Sequence, residues 1–173
     1  MVYKEAIKVW REGNTNKLLN KFISKFVYSS LKMEGSNIMF KDVEAVFAGE
    51  KTANNCNNYI DFCRSILKLN GINKDIEINE DNALQIISNY YCNSYFVVGG
   101  SIARMLFNYI LISNNLPPII IFYHDKQEHD LSIEHFREGK DISKMIEFLG
   151  NQAYKTWTKD YNVKIKSLKD YLC

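Results

Sequence analysis

The stretch Asn93-Ser94-Tyr95-Phe96-Val97-Val98-Gly99-Gly100-Ser101-Ile102-Ala103-Arg104-Met105-Leu106-Phe107-Asn108-Tyr109-Ile110-Leu111-Ile112 carries one charged side chain, Arg104. Working outward from it, Arg104 is the only Asp, Glu, Lys or Arg between Asn82 and His124. An unpaired guanidinium is too costly to bury. Either the segment is exposed or a carboxylate reaches it from elsewhere in the chain. A membrane span is the poorer reading, because Tyr95–Ile112 holds only 18 residues and includes Arg, Asn, Ser and a Gly-Gly pair. The expectation is a buried central helix.

The whole chain suits that helix. Its 173 residues fit one domain with one sizeable core. It is 46% hydrophobic and 24% charged with a net charge of +2, ordinary for a globular protein and wrong for a disordered one. The two signs are interspersed, so no nucleic-acid surface is announced, and the lysines of "KDYNVKIKSLKD" (residues 159–170) read as a solvated face or tail. Cys56, Cys63, Cys92 and Cys173 form no CxxC pair and no metal-ligand spacing with histidine, so no metal is expected. The amphipathic start "MVYKEAIKVWREG" is no signal peptide, and the thiols read as reduced in a cytoplasm.

Helical periodicity dominates, and the reading is a mainly α fold of about eight helices around the Arg104 helix. Tyr3, Ala6, Ile7 and Trp10 share a face that ends near Gly13; Leu19, Phe22, Ile23, Phe26, Val27 and Ser30 form the next stripe, stopped by Gly35. "SNIMFKDVEAVFAGE" reads as a short helix with Val43, Val46 and Phe47 inward, and "TANNCNNYIDFCRSILKLNG" as another with Cys56, Tyr59 and Cys63 inward. "INKDIEINED" is a loop or very short strand; "DNALQIISNYYC" is a helix through Leu84, Ile87 and Tyr91. After the Gly99–Gly100 break the central helix runs to about Ser113, and "NNLPP" stops it. "IIIFYHD" is extended, and two helices come after it.

Glu34 is the odd residue of its helix. Ile23, Val27, Ser30 and Glu34 recur at spacings of four, three and four, which sets a carboxylate on the inward stripe. An inward acid and an inward arginine make a natural pair. The alternative is that Glu34, at a helix end, bends out to water.

The segment "YSSLKMEGSNIMFKDVEAVFAGE" resembles the N-terminal inhibitory segment of Fic-domain proteins, with its Ser/Thr-x-x-x-Glu-Gly/Asn signature at Ser30, Glu34 and Gly35. "ARMLFNYILISNNLPPIIIFYHDKQEHD" is similar to the family's segment just after its catalytic motif, double proline included, and "MIEFLGNQAYKTW" to the family's closing helix. The likeness runs through residues 1–68 and 90–159. It implies three parts: N-terminal helices over residues 1–50, a Fic-like core over 51–160 and a tail over 161–173. It also implies that Glu34 binds Arg104, as the inhibitory glutamate of the family binds the motif's second arginine.

The chemistry of the family is not carried over. The Fic motif reads His-Pro-Phe-x-(Asp/Glu)-Gly-Asn-Gly-Arg-x-x-Arg. Anchored on Arg104, the histidine position holds Asn93, which is no general base. The metal-binding acid is Val97, which offers magnesium no oxygen. The first arginine is Ser101, which removes the phosphate fork. Gly100 and Arg104 keep their places, and Gly99–Gly100 is left as a vestigial nucleotide or anion loop. The insert between Leu69 and Leu84 looks too short for the family's target-clamping flap. His124, His129 and His135 are read as surface residues, and Tyr90, Tyr91 and Tyr95 as lining for a leftover pocket.

The expected function is that of a pseudo-adenylyltransferase without cofactor, acting by binding another protein such as a toxin or defence component. A homodimer is also open, and neither nucleic acid nor membrane is expected as a partner. The alternative is an active AMP-transferase using ATP and Mg²⁺ at a non-standard site.

Overall fold

The computed structural model of the chain describes residues 2–13, 15–41, 43–44 and 77–159. The fold is mainly α. Its helices are α1 (Val2–Glu12), α2 (Thr15–Met33), α3 (Ala83–Val98), α4 (Gly100–Ser113), α5 (Lys126–Gly139) and α6 (Ser143–Tyr154). A 3₁₀ turn at Tyr123–Asp125 precedes α5, and a π-helical turn at Lys155–Lys159 prolongs α6. The expected helix carrying Cys56, Tyr59 and Cys63, the inward Val46 and Phe47, the shortened insert up to residue 76, Cys173 and the tail from residue 160 lie outside the described residues. Val43 is described and is buried.

The helices stop for local reasons. Gly35 has φ of +84°, its N–H bonds the Lys32 carbonyl at 3.0 Å, and the Ser36 N–H bonds that of Leu31 at 3.0 Å. This is the Schellman arrangement, and it makes Glu34 the C-cap residue of α2. Asn115 does the same for α4 at φ of +54°, with its N–H on Ile112 and that of Leu116 on Leu111. Pro117 and Pro118 then forbid continuation.

One core cluster unites the described helices; Trp10, Phe22, Phe107, Phe148 and Trp157 are among its largest members. Trp10 and Trp157 meet edge to face at 5.2 Å, tying α1 to the π-helical turn. Helix α3 packs chiefly on α4, and α1 on α6.

Residues 116–122 cross this core as an extended segment with no strand beside it among the described residues. Ile119, Ile120 and Ile121 are essentially inaccessible to water, so their peptide groups need partners from inside the protein. Side chains supply them. Asn108 of α4 donates from Nδ2 to the Ile119 carbonyl at 2.9 Å and accepts from the Ile119 N–H at 2.6 Å. Thr156 accepts from the Ile120 N–H, Gln152 from the Phe122 N–H, and Trp157 donates to the Pro118 carbonyl at 2.7 Å. Ser29 of α2 donates to the Ile121 carbonyl at 2.8 Å and accepts from the Tyr123 N–H at 3.0 Å. The extended reading of "IIIFYHD" describes Ile119–Phe122 and fails for Tyr123–Asp125, which form the 3₁₀ turn; the partners of the extended part are helices rather than a sheet.

Candidate functional site: the Arg104 junction

The run from Asn93 to Ile112 divides at Gly99, whose φ of +84° turns the chain from α3 into α4. Arg104 sits one turn into α4, and its side chain runs back toward that helix's N-terminus, as helical side chains do. It is 2% exposed. Its Nε donates to Ser30 Oγ at 3.1 Å, and its Nη2 donates to the Ser30 carbonyl at 3.3 Å and to Glu34 Oε1 at 2.6 Å. Tandem serines therefore divide the work of α2: Ser29 holds the extended segment and Ser30 holds Arg104.

The inward-stripe expectation for Glu34 needs correction. Its side chain is 52% exposed although it bonds a guanidinium 2% exposed. As the C-cap residue, Glu34 lies where α2 leaves the core, so it reaches Arg104 from the rim with much of its carboxylate in water. The ion pair is therefore weaker than a fully buried one, since solvent screens one partner.

Gly100 is the point of closest approach. A Cβ there would lie 2.7 Å from Tyr95 Cε2, 3.0 Å from Arg104 Nη1 and 3.4 Å from Glu34 Oε1. The start of α4 is thus not an open cradle. Its positive end already faces an anion, the carboxylate of Glu34, beside Arg104. An incoming phosphate or carboxylate would have to displace Glu34 from the same guanidinium.

The other aligned positions make no hydrogen bond to Arg104 among the described residues. Asn93 is exposed and donates from Nδ2 to the Asn89 carbonyl at 2.8 Å, back along α3. Val97 is 77% exposed, next to Phe96 at 50%. Ser101 is half-buried. No proton acceptor comes from these residue types, and no ligand oxygen from Val97. Among the described residues no group of three or more His, Cys, Asp or Glu gathers as a metal site. No described helix is long and apolar enough to cross a membrane.

The expectation that all three histidines lie at the surface fails for His129, which is fully buried. It lies among Tyr91, Tyr95 and Phe148. One ring nitrogen, Nε2, is 2.7 Å from the Tyr91 hydroxyl and the other, Nδ1, is 2.8 Å from Asp130 Oδ1. Burial holds its pKa down to about 4, with Arg104 and Lys126 adding repulsion and Asp130 opposing them. The ring is therefore neutral at pH 7. The carboxylate fixes the proton on Nδ1, so Nε2 accepts from the Tyr91 hydroxyl. Burial pushes the Tyr91 hydroxyl's own pKa well up, with the positive charge of Arg104 opposing the shift. Tyr91 is fully buried in the core, against Phe107 and His129. Asp130 faces outward into an open depression of about 530 Å³ that Lys126, Leu131 and Glu134 also line.

A polar chain of Asp130, His129 and Tyr91 thus runs from α5 to α3, and Arg104, with Ser30 and Glu34, ties α4 to α2. The sequence signal for its hidden member is the helical face of His129, Ser132, Ile133 and Phe136, all four of them buried. Cys92, also buried and unpaired, has its thiol pushed up to about 12 by burial, which makes it inert at neutral pH. Set beside known protein families, characterised proteins and solved structures, the chain matches none of them.

Proposed function

We propose that the chain is a catalytically emptied Fic-like protein that acts by binding another protein, with a toxin or a defence component as the kind of partner. The observation that carries this reading is the self-filled junction at α4. Arg104 is engaged by Glu34 and Ser30, while the aligned catalytic positions hold an exposed amide, an exposed valine and a serine. Base, metal ligand and phosphate fork are absent together, and losses of that kind multiply into a negligible rate. The adjacent exposed pair Phe96 and Val97, at the turn into α4, offers a partner apolar area where an enzyme of the family would keep its acid.

The second reading is an AMP-transferase with a non-standard site. Its support is that Gly100 and Arg104 stand together at a helix N-terminus, the placement an anion would use. Melting curves of the native chain and of Glu34→Ala, taken with a nucleotide panel and Mg²⁺, separate the two. The binding-protein reading expects no shift for either. Stabilisation of about 2.7 kcal/mol at a nucleotide concentration 100 times its dissociation constant would establish the second.

A further inference from the structure

We propose that His129 is an acid-released clasp: neutral, it holds α5 on α3, and protonated, it lets α5 come away from the core while the other helices stay folded. The clasp is independent of the Arg104 junction and of any nucleotide.

Helix α5 is thinly anchored. Of its 14 residues only His129, Ser132, Ile133 and Phe136 are buried, and two of these four are polar. Ser132 spends its hydroxyl on the Glu128 carbonyl of the same helix, 2.9 Å away. The outward face carries Lys126, Asp130, Leu131 and Glu134 around the open depression. An element with so few buried apolar contacts opens at the low end of the free-energy range, so each anchor weighs heavily.

The hydrogen bonds of His129 decide the sign. Nε2 meets the Tyr91 hydroxyl at 2.7 Å, and Nδ1 meets Asp130 Oδ1 at 2.8 Å. A neutral imidazole satisfies both, donating from Nδ1 and accepting at Nε2. A proton on Nε2 turns that acceptor into a donor, so the Tyr91 hydroxyl proton loses this partner and a cation sits in a region closed to water. Facing the ring are Asp130 and Lys126 from its own helix, which bind each other at 2.6 Å, and the phenols of Tyr91 and Tyr95 from α3. The uncharged Phe148 comes from α6, and Arg104 of α4 adds positive charge. Asp130 offsets one cation here, but its carboxylate is half in water and already shared with Lys126. Once α5 comes away, water solvates the imidazolium, so acid favours the open form.

The test is amide hydrogen exchange of the full chain at about pH 7 and about pH 5.5, corrected for intrinsic rates, with low urea added to separate local from global opening. Amides of Ser132, Ile133 and Phe136 should exchange through a smaller opening than those of Leu106 and Phe107 in α4, with little urea dependence. Their protection should fall about tenfold between the two pH values, as one proton taken up by an open-state imidazole with a midpoint near about 6.5 requires. His129→Gln keeps an acceptor for Tyr91 and does not titrate, so it should remove this pH dependence. His135→Gln, on the same helix, should retain it, and its loss there would overturn the proposal. Equal protection of α5 at the two pH values in the native chain would overturn it too, as would α5 amides that open only together with those of α4. The native chain alone decides these last two outcomes, so a variant that fails to fold leaves the result intact. None of the readouts involves nucleotide or Glu34, so failure here is distinct from failure of the functional reading.

Discussion

Arg104 and Glu34 form one ion pair with unequal surroundings, and the inequality sets what each substitution does. Glu34→Gln keeps most of the contact, and water reaches the half-exposed site, so the loss should be about 1 kcal/mol rather than the 3–5 kcal/mol of a fully enclosed pair. Arg104→Ala removes one of the largest fully buried side chains and takes a donor from the Ser30 hydroxyl and from the Ser30 carbonyl. Its expected cost is about 3–5 kcal/mol. Urea unfolding of both variants measures the difference, and equal losses would count against the exposed placement of Glu34. Ser88 gives the opposite sign. Its Oγ is buried with no hydrogen-bond partner among the described residues, so Ser88→Ala should raise stability by about 1 kcal/mol in the same measurement. The spacing of Ile23, Val27, Ser30 and Glu34 makes the acid legible as a partner for Arg104. It does not make its exposure legible, because that depends on the C-cap turn at Gly35. His129 is masked by its setting, "KQEHDLSIEH", whose charges suggest a wet surface although the face carrying His129, Ser132 and Phe136 is dry.

At the scale of elements, the unusual piece is the buried extended segment 116–122. In a sheet its peptide groups would pair with a neighbouring strand; here α2, α4, α6 and the π-helical turn supply side chains in place of that strand. Asn108 is the most demanding of them, since one amide imitates both halves of a strand pairing with Ile119. Asn108→Leu keeps the branched shape but leaves the Ile119 N–H and C=O unpaired in the core. A loss of about 2–4 kcal/mol is expected, with amide hydrogen exchange at Ile119 rising toward the global rate. Retained protection at Ile119 would show that another group satisfies it. The run of isoleucines after two prolines makes the extended state readable. Its partners are not, because Ser29, Asn108, Gln152 and Thr156 are scattered along the chain and look individually like ordinary polar residues. Helix identities and stops come from apolar periodicity and from Gly35 and the double proline, which are local signals.

At the scale of the whole molecule, titration joins these features. Burial holds His129 near 4 rather than its ordinary 6.5, so the folded chain takes up its proton later than the unfolded chain does. Stability from this group is complete above about pH 6.5 and declines as the pH falls toward 4, with a slope of at most about 1.4 kcal/mol per pH unit. The carboxylates act lower. Burial raises Asp125, but hydrogen bonds from Lys155 and Gln152 outweigh it; burial likewise raises Asp130 against its bonds from Lys126 and His129. Asp141 is held at about 2, first by the Ser143 N–H and then by His135. Their contributions are present above the ordinary carboxylate range and are lost as the pH falls below it. Urea midpoints from pH 8 to pH 3 should therefore begin to drop near 6.5, before any carboxylate titrates, and His129→Gln should flatten that first stage while leaving the second. A flat profile down to pH 4.5 in the native chain would show that His129 is not the buried neutral group described.

The mainly α architecture is readable from one sequence because periodicity and helix stops are written locally. The proposed loss of chemistry rests on three residue types at fixed distances from Arg104. The most direct measurement is incubation of Glu34→Ala, with the carboxylate beside Arg104 removed, with ATP and Mg²⁺, and then intact-mass spectrometry of the chain and of added protein acceptors. No AMP adduct on any protein is the expected result. An adduct that depends on Arg104 would contradict it and show that the emptied positions are not needed for transfer.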